Sequence, residues 1–280
     1  MTKTIRIASL SLAFLIAGTS RAVGEDLWIK NGERDIYGIV AAPADGNSKG
    51  MAIISHGFNG THKFAKDYID TLNGLGYTVY SFDYPCGSIH SRSDNNTVNM
   101  SILDEKNDLK ATVRHFLDRP GADKDEIVLI GESQGGLVSA LAAAELKDTV
   151  SSLVLVYPAL CIPDNWNERY KTVEEIPDTT ILWNVPLGKR FFMEIRDLDV
   201  YQTICGYEGP VQIIHGSKDR IVPLGYSEEA MKRYHNAHLG VIPGAGHGFN
   251  PEERAVANKF VKEFLENGAL TQPSHNSVKN

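Results

Sequence analysis

Short apolar runs alternate with amphipathic stretches along most of this 280-residue chain. Met51–Ser55, Tyr77–Phe82, Ile127–Ile130, Leu153–Tyr157, Val211–His215 and Leu239–Ile242 are too short for helices and are largely apolar at alternate and intervening positions alike. That is the pattern of strands buried on both faces. Between them Phe64, Tyr68, Ile69, Leu72 and Leu75 recur at helical spacing, ending near Gly74 and Gly76. Ser101-Ile102-Leu103-Asp104 reads as a capped helix start, and Leu109, Val113, Phe116 and Leu117 continue one apolar face to Pro120-Gly121. Leu137–Leu146 predicts an alanine-rich helix able to lie close to a sheet. Asn250-Pro251-Glu252-Glu253 predicts another, with a cap, a proline in the first turn and acids at the positive end. Leu27–Lys30 and Ile36–Ala42 flank Asn31-Gly32 as the arms of a hairpin. The sum is an α/β fold: a mostly parallel sheet with helices on both faces and an N-terminal antiparallel hairpin at one edge.

One stretch breaks the rhythm. Residues 158–210 separate two adjacent strands, whereas a crossover needs only about a dozen residues. The excess predicts an inserted lid over about 158–209. Trp166, Tyr170, Ile176, Trp183, Val185, Leu187, Phe191 and Phe192 make it aromatic enough to roof an apolar pocket, although any one of them serves equally well to hold the lid to the core.

The first residues carry Lys3 and Arg6, then an apolar stretch from Ile7 to Gly18, then Ser20-Arg21-Ala22 with small residues where a signal peptidase reads. The stretch falls short of the ~20 residues that span a bilayer. Residues 1–22 are therefore expected to be a cleaved signal peptide, 23–268 one folded domain and 269–280 a disordered tail, with export to a periplasm or the exterior. Losing Lys3, Arg6 and Arg21 and no acid makes a formal charge of −7 more negative still. Nucleic acid is a poor partner for such a chain, and so is an anionic membrane surface. Cys86, Cys161 and Cys205 lack metal-type spacing. Export permits one disulfide, with Cys161 and Cys205 the candidate pair; buried free thiols are the alternative reading.

Candidate chemistry begins at Gly131-Glu132-Ser133-Gln134-Gly135, which follows an apolar strand and opens a helix. A serine at such a turn projects its hydroxyl from the sheet, and the flanking glycines admit the close packing. The hydroxyl needs a base and the base a carboxylate. Asp219 in HGSKD and His247 in GAGHG follow later strands in that order, although Asp164 also lies near a strand end. For the oxyanion, one donor is the N–H of Gln134 and the second that of Phe58 in His56-Gly57-Phe58-Asn59-Gly60, with His56 bracing the loop. Glu132 reads as packing or polar support. A triad of this kind calls for no metal or organic cofactor.

HGFNG, GESQGG, HGSKDRIVP and GAGHGF together resemble the α/β-hydrolase superfamily over nearly the whole chain after residue 22, and within it the bacterial feruloyl and cinnamoyl esterases, which also carry a lid with an Ile-Pro-Asp stretch like Ile176-Pro177-Asp178. The resemblance implies a serine carboxylesterase acting on hydroxycinnamate esters such as those on plant polysaccharide. It also implies substrate contacts in the lid from Asp164, Trp166, Trp183 and Phe192, where some relatives set a tyrosine and an acid on the phenolic hydroxyl. Phe192 in the tyrosine's place cannot donate a hydrogen bond. Asp83–His90 departs from the glycine-rich stretch of relatives and implies an altered pocket wall. The competing readings are a serine aminopeptidase or acyl-peptide hydrolase, and a binding module without catalysis.

Overall fold

The computed structural model describes residues 24–119 and 126–267. The expected signal peptide, the tail and Pro120-Gly121 lie outside them. Strands β1 (Glu25–Asn31), β2 (Arg34–Ala41), β3 (Gly50–Ser55), β4 (Tyr77–Phe82), β5 (Ile127–Glu132), β6 (Val150–Val156), β9 (Val211–Gly216) and β10 (Ala237–Ile242) form one eight-stranded sheet in the order β1-β2-β4-β3-β5-β6-β9-β10. Only β2 runs against the others. The hairpin turn falls at Gly32-Glu33, one residue later than expected, because Gly32 takes the positive φ of 60° in a two-residue loop.

Alternation along the central strands divides the core. Ile53, Ile127, Leu129, Leu153, Leu155 and Ile213 face the side covered by α2 (Ile102–Leu117) and α3 (Gln134–Glu145). Ala52, Ile54, Val128, Ile130, Val154 and Val156 face α1 (Lys66–Gly74) and α8 (Pro251–Glu266). Burial on both faces is what the near-continuous apolar runs encode. Ser101 caps α2 by accepting from the Asp104 amide, and Asn250 with Glu253 forms a reciprocal capping box at α8. α7 (Gly225–Arg233) lies beside β9 and β10.

Residues 158–210 are not all lid. α4 (Ile162–Arg169), the antiparallel hairpin β7 (Thr179–Leu182) and β8 (Val185–Gly188), and α5 (Lys189–Met193) form the cap, whereas α6 (Val200–Ile204) returns to pack on α3. Phe191 and Phe192 are fully buried with Trp166 and Tyr170 against the main core, which seats the cap. Among the described residues no helix is long and apolar enough to cross a membrane.

Candidate active site

Ser133 sits between β5 and α3 with φ 51° and ψ −118°, a conformation that costs a non-glycine residue of order 1–3 kcal/mol. The turn is held on both sides: its amide donates to the Val156 carbonyl at 3.0 Å and its carbonyl accepts from the Ala159 amide at 2.8 Å. Glycine is obligatory nearby for lack of room. A Cβ on Gly131 would run into the Gly135 carbonyl, and one on Gly135 into the backbone of Ser55 and His56.

His247 Nε2 lies 2.9 Å from Ser133 Oγ, and its Nδ1 lies 2.7 Å from Asp219 Oδ2. Tyr157 packs against the imidazole with ring centroids 4.7 Å apart, on a backbone at φ 35°. Asp219 follows β9 in a tight turn, and its Oδ1 accepts from the amides of Ile221 and Val222 at 2.9 Å each. His215 Nε2 is 3.3 Å from Asp219 Oδ2 and 2.9 Å from the Val222 carbonyl. Burial pushes the Asp219 carboxyl up, but hydrogen bonds from His215, His247 and the Val222 amide outweigh it and hold the group well below the usual carboxylate range. A carboxylate fixed in its charged form keeps Nδ1 protonated and Nε2 free to accept the serine proton.

On the other side of Ser133 the loop His56–Gly60 approaches closely: a Cβ on Gly57 would stand 3.1 Å from Ser133 Cβ. Neither the Phe58 nor the Gln134 amide has a hydrogen-bond acceptor among the described residues. His56 does brace this loop, its Nδ1 2.7 Å from the Gly57 carbonyl and its Nε2 accepting from the Tyr84 amide at 3.1 Å. Residues 83–90 add to the brace. Asn59 donates its amide to the Gly87 carbonyl, and its side-chain oxygen accepts from Ser88 Oγ and the Ile89 amide. The departure at 83–90 therefore buttresses the His56–Gly60 loop, and none of these residues lines the pocket.

Behind Gln134 lies Glu105, a buried carboxyl. Both its oxygens accept from Gln134 Nε2 at 2.9 Å, and Gln134 Oε1 has no partner among the described residues. Burial pushes Glu105 up to about 8, with Asp108 and Asp104 adding to the rise while the Gln134 amide and Arg34 oppose it. Glu132 points away from the hydroxyl's face to Tyr68, at 2.8 Å, and to Arg254, tying the elbow to α1 and α8.

A cavity of about 350 Å³ opens on Ser133 and Gln134. The cap supplies Ile162, Trp166, Leu182, Trp183 and Phe191; the core supplies Phe58, Ala159, Cys161, Ile221 and Val222; Asn165, Arg169 and Arg220 are its polar lining. Trp166 and Trp183 thus line the pocket, Trp183 lying edge-on to Phe58 at 5.7 Å. Two expected lid contacts do not. Phe192 is buried against Trp166, Tyr170 and Phe191, and Asp164 is exposed and accepts from the Tyr226 hydroxyl at 3.0 Å. All three cysteines are free, so Cys161 and Cys205 do not pair. Glu105, His215, Asn165, Arg169 and Arg220 went unread in the sequence, where nothing but their positions in a helix or beside the motifs marks them.

The family described as serine aminopeptidase, S33 matches residues 46–203, more than half the chain, and the TAP-like protein family matches 202–277. Esterase LipC of Mycobacterium tuberculosis is 27% identical over 201 residues, which cover 65% of this chain but only 47% of LipC. The uncharacterized peptidase YtmA of Bacillus subtilis is 22% identical over 86% of this chain and 91% of its own length. Among solved structures, Est1E of Butyrivibrio proteoclasticus with ferulic acid bound superposes with a TM-score of 0.78 at 26% identity, covering 86% of this chain and 98% of Est1E. The sheet order, the elbow between β5 and α3 and the S33 match agree, and the chain belongs to that family, a serine-hydrolase-type family of the α/β-hydrolase superfamily.

Proposed function

We propose that the protein is an exported serine carboxylesterase that cleaves aromatic acyl esters, feruloyl and related hydroxycinnamoyl esters foremost. The observation that carries the reading is the unbroken chain Asp219–His247–Ser133, at 2.7 and 2.9 Å, opening on an aromatic-lined cavity. His247 Nε2 takes the Ser133 proton as Oγ attacks the ester carbonyl, and the free amides of Phe58 and Gln134 receive the oxyanion. Collapse breaks the ester C–O bond, the alcohol leaves with the proton from His247, and water reverses the sequence to release the acid. Likeness to Est1E supports an aromatic acyl group. Export rests on the N-terminal sequence alone.

The S33 description and YtmA raise a peptidase as the second reading. An aminopeptidase must hold an α-ammonium, and the pocket lining offers two arginines and no carboxylate. Methyl ferulate and aminoacyl-nitroanilides assayed side by side separate the two. Release of ferulate, lost in Ser133→Ala, is expected; turnover of the nitroanilides alone would sink the esterase proposal.

A further inference from the structure

The arginines of this acidic chain are mostly committed. Arg34, Arg92, Arg190, Arg233 and Arg254 form ion pairs with Asp108, Asp26, Asp104, Glu229 and Glu132. Arg196 donates to the carbonyls of Tyr170 and Lys171 at 2.8 and 2.9 Å. Arg169 and Arg220 have no carboxylate partner among the described residues, and both line the cavity above Ser133. Arg114, exposed on α2, and Arg119, which donates to His115, are likewise without one but do not line this cavity.

Their settings differ in a useful way. Arg169 ends α4, and its guanidinium carbon lies 5.6 Å from the Trp166 ring centroid and 5.4 Å from that of Tyr170. Those rings stack within 10° of parallel, so the flat cation rests on an aromatic platform that is itself part of the cap. Stacking occupies a guanidinium's face and leaves its N–H edge to donate. Arg220 follows Asp219, the nearest acid in sequence, but that carboxylate is turned inward to His247 and to the amides of Ile221 and Val222. It has nothing left for its neighbour. Two donors of fixed positive charge thus face a cavity whose other walls are apolar apart from Asn165 and the reacting groups.

We infer that Arg169 and Arg220 recognise a carboxylate carried by the ester substrate, so that the preferred substrates are acidic esters and not neutral ones. The inference rests on the esterase reading and narrows its substrate class. The carboxylate belongs either to the acyl group or to the alcohol, and the chemistry that the arginines read is the same. Exposed guanidinium–carboxylate contacts are individually weak, so the two together give a preference of about tenfold in kcat/KM, most of it through KM.

Matched esters test this. In the acyl arm, methyl 4-carboxycinnamate is compared with methyl 4-carbamoylcinnamate. In the alcohol arm, the ferulate ester of glycolic acid is compared with that of glycolamide. Each pair differs in charge at nearly constant shape. The expected result is an anionic-to-neutral ratio of about ten in one arm, shrinking in 0.5 M salt and falling toward one in Arg169→Gln and in Arg220→Gln. The arm that responds identifies which part of the ester bears the charge. Ratios at or below one in both arms, or a ratio that neither substitution moves, would overturn the inference while turnover of the neutral esters leaves the esterase reading intact. Should no ester turn over, protection of Ser133 from a fluorophosphonate by terephthalate but not by terephthalamide reads the same site; equal protection refutes it.

Discussion

Asp219 and Glu105 are both buried carboxyl groups, each one side chain removed from Ser133, on its two sides. Asp219 reaches the serine through His247, and Glu105 holds the side chain of Gln134, the residue that follows the serine. Burial pushes both up, yet Asp219 ends well below the usual carboxylate range and Glu105 at about 8. The difference is donor supply. Asp219 lies in a turn that aims two backbone N–H groups at one oxygen and places two imidazoles by the other. Glu105 receives one amide group, while Asp108 beside it is already held by Arg34 and Asn31. Depth alone does not set a buried acid's charge; the hydrogen bonds waiting for it do.

The comparison breaks hardest at Asp219. Asp219→Asn keeps the shape but presents an amide where Nδ1–H needs an acceptor, which favours the wrong imidazole tautomer. A loss of about 10⁴-fold in kcat is expected, by analogy with other serine–histidine–aspartate enzymes. Steady-state hydrolysis of an activated aryl ester measures it, and a drop below tenfold would mean that another group orients His247.

The oxyanion side is next. Phe58→Pro removes a backbone donor and Phe58→Ala keeps it, so the first is expected to lose about 10²–10³-fold in kcat. The second is expected to lose far less, through lost packing against Trp183. Equal losses in the two variants would locate the effect in the ring and take the Phe58 amide out of the oxyanion site.

How much of this was legible beforehand follows the same division. The alternating core strands, the helix caps and the order of Ser133, Asp219 and His247 were readable because each is a local pattern: periodicity, a cap box, a motif after a strand. The cap was read as present but not as built, since β7 and β8 pair across a turn at Trp183-Asn184, where two residues without a glycine's freedom adopt φ of 46° and 65°. The resemblance sets Phe192 in the place of a pocket tyrosine, and only the packing against Trp166 and Tyr170 turns it into the core. Asp164 lies near a strand end in the sequence, but its partner, Tyr226, is 62 residues away. Glu105 was missed outright. In the first turns of α2 it reads as an acid favoured by the helix dipole, and its burial depends on α3 and the loop at Gly87 closing over it.

Glu105 also supplies the smallest effect, and the one with a direction that cannot be confused. Its folded-state value of about 8 lies above the ordinary 4.5. Protonation is therefore favoured by folding, and the group's contribution to stability is full below pH 4.5, declining as pH rises to about 8. Asp219 runs the other way, its contribution present above the ordinary 3.8 and lost as pH falls through its lowered value. The groups that face Glu105 are Gln134 from α3, Arg34 from β2, Asp104 and Asp108 from α2, and the Tyr84 hydroxyl and His56 from the adjoining loops. Of these, His56 is held below its ordinary 6.5 by burial, so it stays neutral from pH 7 upward and adds no slope there. Glu105→Gln removes the titrating proton at constant shape and lets an amide meet Gln134 on both its edges. Thermal unfolding followed from pH 6 to 9 is expected to show the variant gaining on the native protein by a few degrees at the upper end, with the two nearest each other at pH 6. A gap that stays constant across that range would assign Glu105 the same charge in the folded and unfolded chain, and the contrast with Asp219 would then be one of position rather than of proton affinity.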